Sequence, residues 1–518
     1  MTTNSLEMSR ELLLGNVLRS AAHIVPDKVC FKFENQEFTY AQLERKALQL
    51  AGWMQQQGIK KDQKIGYIFK NSTEFVEILW AISLSGGVGV PLNFRLASDE
   101  LLYIINDSDT ELLFIDQEYV DIIQSIRNEL PNVRKIIVSS EQPVEGMLSY
   151  NSLFEETYDY ILEQQSDNDA CMIMYTSGTT GKPKGTVLTH KNIVMNAQNL
   201  IREFELNMDT NQLIVAPLFH VAALASLIFC CLARGTAIIQ KDFVPNAVLQ
   251  TVQQEKITCL FLVPAMWNFV TSLPNIGDYD LSSVRTCIAG AETCPLKVKE
   301  QIIKHFNVQG IYEAFGQTET SPVTICMKPA DSMRKTAALG KPIVNVEVRI
   351  VDENMNDVPV GEIGEIVYRG PTIMKEYYKK PEETTATFKG GWFHSGDLVS
   401  ADEEGFIYIR DRKKDMIISA GENIYPAEIE NVLYRHEAIF EAAVIGVPDE
   451  VWGESVKAFI VLKENQTLTK DEVIDFCVQH LASYKKPKYV EFIPSLPRNT
   501  SGKILKRALR DETTVGSK

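Results

Sequence analysis

Short apolar runs bounded by turn residues alternate with helical patterns through the first 400 residues. That alternation restricts the chain to buried, mainly parallel sheets with helices between the strands. Lys64–Phe69, Thr110–Ile115, Gln212–Val215, Thr236–Ile239, Thr258–Val263 and Val284–Ala289 read as strands, and Tyr40 to about Gln57 and Glu74–Leu84 as helices. From about Leu339 the texture changes. Val346–Val351, Gly364–Arg369 and Phe406–Arg410 alternate with Gly, Pro and Asp, which predicts a small β-rich subdomain. A second transition falls at the charged run Arg410-Asp411-Arg412-Lys413-Lys414-Asp415, for which a plain solvated turn is the alternative reading. Beyond it lie about a hundred residues with their own pattern: helix Pro426–Tyr434, strands Ala442–Val447 and Ala458–Leu462, helix Lys470–Leu481. That is enough chain for a separate small domain.

A length of 518 residues suggests two to four substructures. The net charge of −16 argues against a general nucleic-acid binder, because such a protein needs a basic surface. It leaves ATP or CoA open, since one loop can be electropositive on an acidic molecule. Nine scattered cysteines with no Cys-x-x-Cys pair support neither a zinc site nor a redox motif. Free, buried thiols in a reducing compartment are expected instead. Glu7, Arg10 and Glu11 break the N-terminal apolar stretch, so no secretory signal is read there. Val221–Ala233 ends at Arg234, short of the ~18–20 apolar residues a membrane span requires. The expectation is a cytoplasmic protein with no stable membrane insertion.

The densest chemistry lies in Tyr175-Thr176-Ser177-Gly178-Thr179-Thr180-Gly181-Lys182-Pro183-Lys184-Gly185, directly after the apolar run Cys171–Met174. Glycines let backbone N–H groups turn toward an anion, hydroxyls donate hydrogen bonds, and lysines supply charge. A strand opening into such a loop predicts a phosphate cradle. It is not a Walker loop: Thr176 stands at the first glycine position, and Pro183 follows Gly181-Lys182 where Ser or Thr is required. The stretch resembles the phosphate-binding loop of the adenylate-forming superfamily, which includes acyl-CoA synthetases, peptide-synthetase adenylation domains and beetle luciferases. The resemblance extends from about residue 15 to 510. It implies ATP cleavage at the α-phosphate. It also implies an N-terminal domain of layered α/β sheets plus the β-rich subdomain (1–411), and a small mobile α+β C-terminal domain (412–518) with a hinge near Lys414.

Several further segments carry chemistry of their own. Thr318-Glu319, in Phe315-Gly316-Gln317-Thr318-Glu319, offers a hydroxyl for phosphate and a hard oxygen ligand for Mg²⁺, although Thr-Glu also begins many helices. The resemblance implies that Thr318 contacts the α-phosphate and Glu319 the metal. It also implies a ring near adenine at Phe315, where the family commonly has Tyr. Gly290-Ala291-Glu292 reads as a strand-ending turn, and the resemblance implies that adenine lies there. An ionised Asp397 suits a ribose cis-diol, and with Arg412 it resembles the family's ribose pair. Lys503, in Asn499-Thr500-Ser501-Gly502-Lys503, is similar to the lysine that serves adenylation. An ammonium group there lowers the repulsion between a carboxylate and the α-phosphate. His220, on an apolar segment, is implied to gate the acyl pocket in a positioning role. Gly421 is implied to line the pantetheine tunnel, and Tyr484-Lys485-Lys486 would meet CoA phosphates.

The function implied is an AMP-forming acid:CoA ligase using ATP, Mg²⁺ and CoA on a small carboxylic acid. Val221–Ala225 and Thr320–Val323 are small and apolar, with no Lys or Arg for a second carboxylate and no acid for an amine. They favour a medium- or long-chain fatty acid, with an aryl acid as runner-up. A free-standing adenylation enzyme loading a carrier protein is a further alternative. A luciferase-like oxygenase has no added support, and Glu319, Asp397, Arg412 and Lys503 together oppose a degenerate nucleotide-binding regulator.

Overall fold

The computed structural model describes residues 10–176, 182–419, 422–449, 452–498 and 504–515, the side chains of 512–515 excepted. Its internal contacts divide the chain into two compact units, Met1–Val348 with Tyr368–Phe393, and Arg349–Val367 with His394–Lys518. The boundary read at 411/412 divides the chain by expected motion. The division by contacts groups the preceding strands with the C-terminal residues.

The first unit holds two large sheets. One has nine strands in the order Lys341–Pro342, Val323–Met327, Tyr312–Gly316, Thr286–Gly290, Cys259–Leu262, Asn211–Ile214, Thr236–Ile239, Val29–Phe33, Gln36–Thr39. Its middle is parallel, and both of its edges are antiparallel. The other runs Glu376–Tyr377, Lys184–Thr189, Ala170–Thr176, Val88–Pro91, Lys64–Ile68, Thr110–Asp116, Lys135–Ser139, Leu148–Ser149. It departs from parallel where Ala170–Thr176 meets Lys184–Thr189 and where Glu376–Tyr377 joins. The connection 177–183 is too short for a parallel crossover, which takes about a dozen residues or more. Strands Ala170–Thr176 and Lys184–Thr189 accordingly pair antiparallel, as a hairpin.

Helices Thr73–Ser85 and Val221–Leu232 are apolar on nearly every face and correspondingly buried. In the first, Glu77 is held by Lys46 and by the Tyr150 hydroxyl, each at 2.7 Å. All nine cysteines are free and buried, as expected. Among the described residues no helix is long and apolar enough to cross a membrane.

The second unit carries most of a four-stranded sheet, Glu347–Val351, Gly364–Arg369, Phe393–Ala401 and Ile407–Arg412. It also has a five-stranded sheet in which Glu422–Ile424, Ile417–Ser419, Gly453–Leu462 and Ile439–Asp449 are adjacent and Tyr489–Phe492 joins Gly453–Leu462. Ile429 and Leu433 of helix Pro426–Leu433, with Val473 and Cys477 of helix Lys470–His480, bury against that sheet. The run 410–415 is not simply a solvated turn. Strand Ile407–Arg412 passes through it, and Asp411 and Asp415 are buried. The reason is that both acids have partners: Asp411 accepts from Ala427 N–H, and Asp415 pairs with Arg510 at 2.8 Å.

Strand Tyr312–Gly316, which ends in Phe315 and Gly316, is pinned by a buried charge pair. Lys299 of helix Leu296–Phe306 is fully buried and donates to Glu313 and to the Thr336 carbonyl. Burial pushes the Glu313 carboxyl up, against the attraction of Lys299. Removing one partner strands the other charge, whereas removing both does not. Lys299→Met should therefore cost about 3–5 kcal/mol, and Lys299→Met with Glu313→Met should recover most of it. Thermal unfolding of the three proteins checks this. Equal losses in the single and double variants would show that the pair does not anchor the strand.

Candidate active site

Thr176 closes one strand of the hairpin and lies opposite Lys184 on the other. Lys182 sits over the Tyr103 ring at 5.1 Å, and Lys184 over the Tyr377 ring at 5.2 Å. Helix Ser98–Asp107 forms the bed of this segment: Tyr103 donates to the Pro183 carbonyl at 3.2 Å, and Asp107 accepts from Tyr175 at 2.7 Å. Ser177, Gly178, Thr179, Thr180 and Gly181 lie outside the described residues, as do Gly421 and Lys503.

Two adjacent parallel strands of the nine-stranded sheet end at Gly290 and Gly316, and in their register Gly290 lies opposite Ala314. A Cβ on Gly290 would come within 3.0 Å of the Phe261 ring and 3.1 Å of the Ala314 carbonyl, so no larger residue fits without displacement. Ala291 has φ +71°, a left-handed turn that leaves Ala291 and Glu292 exposed. Past Gly316, whose Cβ would collide with the Pro322 carbonyl, the chain makes a 3-10 turn at Thr318–Thr320. Gln317 N–H bonds to Thr320 Oγ1 at 3.1 Å, which fixes the turn. Phe315, Thr318 and Glu319 are half-buried. Tyr377 donates to Glu319 Oε1 at 2.9 Å, and Met374 N–H donates to the Glu319 carbonyl at 2.8 Å.

His220 is the residue before helix Val221–Leu232. Its ring lies 4.3 Å from that of Phe219, and Phe94 meets Phe219 edge-on at 5.2 Å. Buried Asn71 fixes the approach, accepting from Leu218 N–H and donating to the Ala216 and Gln240 carbonyls.

In the second unit, Asp397 and Arg412 are register partners on adjacent strands, with Nε 2.7 Å from Oδ1. The carboxylate is 1% exposed, and the guanidinium is far more open. Glu365 braces the turn before it, accepting from Gly396 N–H at 3.1 Å and facing His394 and Lys413 at 3.1 and 3.2 Å. Lys414 is exposed in the turn that follows Arg412.

These placements gather a lysine-bearing hairpin, a hydroxyl–carboxylate turn and a glycine-ended strand pair into the first unit, and an acid–guanidinium pair into the second. Residues 18–378 match the family described as AMP-binding enzyme, and residues 428–503 match the AMP-binding enzyme C-terminal domain. The chain belongs to the AMP-binding enzyme family. A feruloyl-CoA synthase from Amycolatopsis sp. is 36% identical over 96% of this chain and 98% of its own. An anthranilate CoA ligase solved with anthranoyl-AMP is similar at a TM-score of 0.88 and 28% identity, covering 98% of both chains. A Mycobacterium tuberculosis fatty acyl CoA synthetase is similar at 0.80 and 31%, covering 98% of this chain and 99% of that one. This AMP-binding enzyme is an AMP-forming acid–CoA ligase, an adenylate-forming protein with ATP, CoA and a small carboxylic acid as substrates.

Two sets of residues that brace the candidate site of this AMP-binding enzyme escape a reading of motifs. Asn192, Asn196 and Asn199, at i, i+4 and i+7 of helix His190–Glu203, form a buried polar stripe. Asn192 caps the helix through its oxygen and donates to the Pro371 and Ile373 carbonyls at 2.7 and 2.8 Å. Asn196 donates to the Thr320 and Val323 carbonyls at 3.3 and 2.8 Å. The available signal was three asparagines at helical spacing where an apolar stripe belongs. Glu365 and Tyr377 are the second set, and nothing adjacent in sequence marks either.

For magnesium, the donor set is one half-buried carboxylate, Glu319, beside a phosphate-type hairpin. Among the described residues no group of three or more His, Cys, Asp or Glu could cage a metal. That fits magnesium, which takes one or two carboxylates and otherwise phosphate and water.

Asp411, next to Arg412, yields a pH prediction. Burial pushes its carboxyl up to about 6, against the Ala427 N–H bond and the charge of Lys506. A carboxyl raised on folding binds protons more tightly in the folded state, so its stabilising contribution is present below pH ~4 and lost as pH rises through about 6. Two units correspond to roughly 3 kcal/mol. Hydrogen-exchange opening energies in helix Pro426–Leu433 should fall across that window in the native protein and stay flat in Asp411→Asn. The same slope in both would reject Asp411 as the titrating group.

Proposed function

We propose that this ligase activates an aromatic carboxylic acid and passes the aryl-acyl group to CoA. The observation that carries the reading is the full-length 36% identity to a feruloyl-CoA synthase. The likeness to an anthranilate CoA ligase supports it, as does the aromatic backing of His220 by Phe219 and Phe94. A fatty acid, which the small apolar residues 221–225 favour, is the second reading, supported by the likeness to a fatty acyl CoA synthetase.

In the proposed reaction the ATP phosphates lie on the hairpin loop 176–184, with Lys182 and Lys184 offsetting their charge. Adenine lies along Gly290–Glu292 against Phe315–Gln317, and the ribose hydroxyls meet Asp397 and Arg412. Glu319 would hold Mg²⁺, which supplies charge neutralisation on the phosphates. Thr318 donates to the α-phosphate. His220 positions the acid, whose carboxylate oxygen attacks the α-phosphorus while Lys503 screens the two anions. The bond from the α-phosphorus to the bridging oxygen breaks and pyrophosphate leaves. The region beyond the hinge at Lys414 then turns, and Gly421 replaces Lys503 beside the acyl carbon. The CoA sulfur attacks that carbon, the acyl C–O bond breaks, and AMP leaves. The exchange lets one pocket serve two reactions that need different neighbours.

Mass spectrometry of a reaction with ATP, Mg²⁺, CoA and a mixture of aromatic and fatty acids tests the reading. AMP with a dominant aryl-CoA is expected. A dominant fatty acyl-CoA would replace it with the second reading, and acyl-adenylate without thioester would point to a carrier-protein acceptor.

The division of labour is tested separately. Lys503→Ala should slow adenylate formation at least a hundredfold while sparing thioester formation from supplied acyl-adenylate, the loss expected for one electrostatic donor. Gly421→Leu should do the reverse. Equal losses in both half-reactions for either variant would remove its assigned role.

A further inference from the structure

We infer that Tyr377 is a positioning residue that presents the Glu319 carboxylate to the phosphate–metal site and ties it to Lys184 of the phosphate hairpin. The inference rests on the proposed role of Glu319 and adds a residue to it.

Tyr377 makes three kinds of contact at once. Its hydroxyl donates to Glu319 Oε1 at 2.9 Å, its ring lies 5.2 Å from Lys184 Nζ, and its backbone pairs with Thr186 in the hairpin strand. Its neighbours strengthen both ties. Met374 N–H bonds to the Glu319 carbonyl and Tyr378 N–H to the Gly185 carbonyl, each at 2.8 Å. Segment 374–378 is thus a strap from the adenylate turn to the hairpin. Asn192 holds the strap's start through the Pro371 and Ile373 carbonyls.

A glutamate in a 3-10 turn has three rotatable bonds and would sample several directions. Among the described residues its carboxylate has one hydrogen-bond partner, on Oε1. Fixing that oxygen leaves Oε2 as the atom that would be available to a metal. The phenol hydroxyl is the donor of this bond, because an ionised carboxylate only accepts. Lys184 meets the ring and Glu319 the hydroxyl of the same tyrosine, and among the described residues no ion pair joins the two. A direct Lys–Glu pair would spend both charges on each other. The aromatic spacer keeps both available to ATP and its metal.

Tyr377→Phe removes the hydroxyl and keeps the ring beneath Lys184. It is compared with Tyr378→Phe, which loses a bond to Asp109 on the same strap, and with Glu319→Gln. The probe is Mn²⁺ with a non-hydrolysable ATP analogue, read by electron paramagnetic resonance. Pyrophosphate exchange against metal concentration and thermal unfolding are measured alongside. Tyr377→Phe should weaken Mn²⁺ affinity about tenfold, the loss expected for one hydrogen bond to a charged group, with a matching rise in the metal needed for exchange. Its melting temperature and its rate with supplied acyl-adenylate should match the native enzyme. Tyr378→Phe should leave Mn²⁺ affinity unchanged. Native Mn²⁺ affinity in Tyr377→Phe, beside weakened affinity in Glu319→Gln, would overturn the role of Tyr377 alone. Native affinity in Glu319→Gln would overturn the reading of Glu319 and this inference with it. Equal weakening in Tyr377→Phe and Tyr378→Phe would reduce Tyr377 to a structural part of the strap.

Discussion

Asn192 and Asn196 do for the first unit what no apolar contact could. They fix the depth and register of two segments, the strap and the adenylate turn, against one helix. A packed side chain tolerates sliding by part of an ångström, whereas an amide bonded to two carbonyls does not. Strand Lys184–Thr189 runs directly into helix His190–Glu203 through the Thr189–Asn192 capping box, so the hairpin and the helix are one rigid piece. Asn192 then sets the strap, and Asn196 sets the adenylate turn, each through backbone carbonyls. The helix that continues the hairpin is 124 residues from the turn where Asn196 meets Thr320, and Glu319 in the turn is 58 from Tyr377 in the strap. Their relative positions reduce to a short chain of hydrogen bonds, strongest where it is driest.

That arrangement explains what a reading of sequence reaches. Runs such as Thr236–Ile239 coincide with strands because a strand buried on both faces must be largely apolar at successive positions. Thr318 and Glu319 stand out through the resemblance, because a Thr-Glu pair alone also begins many helices. The antiparallel hairpin in a parallel sheet follows from loop length, which the composition of the loop obscures. Tyr377 and Glu365 were not legible, since each acts across a gap in sequence: Tyr377 on Glu319, Glu365 on Gly396. Asp411 was misread because a charged run usually faces water. Here a buried helix start, with its unpaired N–H at Ala427, draws the carboxylate inward.

The second unit is built on the same logic with opposite emphasis. Asp397 is buried and Arg412 largely open, so the pair places a fixed acceptor beneath a movable cation. Glu365 holds the turn from below through Gly396, His394 and Lys413; His394 and Lys413 keep its carboxyl below the usual range despite burial. Arg412 and Lys413 immediately precede the proposed hinge, so residues that would bind ribose and residues that would turn belong to one strand and its turn. A swivel adjoining a ligand contact can be biased by that ligand, because any difference in affinity between the two orientations shifts their populations.

The identity of the acid depends on a different kind of information. The residues that back His220 come from Asn71, Phe94 and the 216–219 segment. Each is ordinary for a core position taken alone. Selectivity in an apolar pocket is weak per contact: one methylene is worth only about 1–3 kcal/mol. A preference for a flat ring over a flexible chain therefore arises from the summed shape of many side chains, not from one polar anchor. The ATP machinery is the opposite case. Each of its charges must meet a specific partner, so a few residue types at set spacings specify it. The same chain can for that reason declare its chemistry plainly in sequence and yield its acid only through the shape of a pocket.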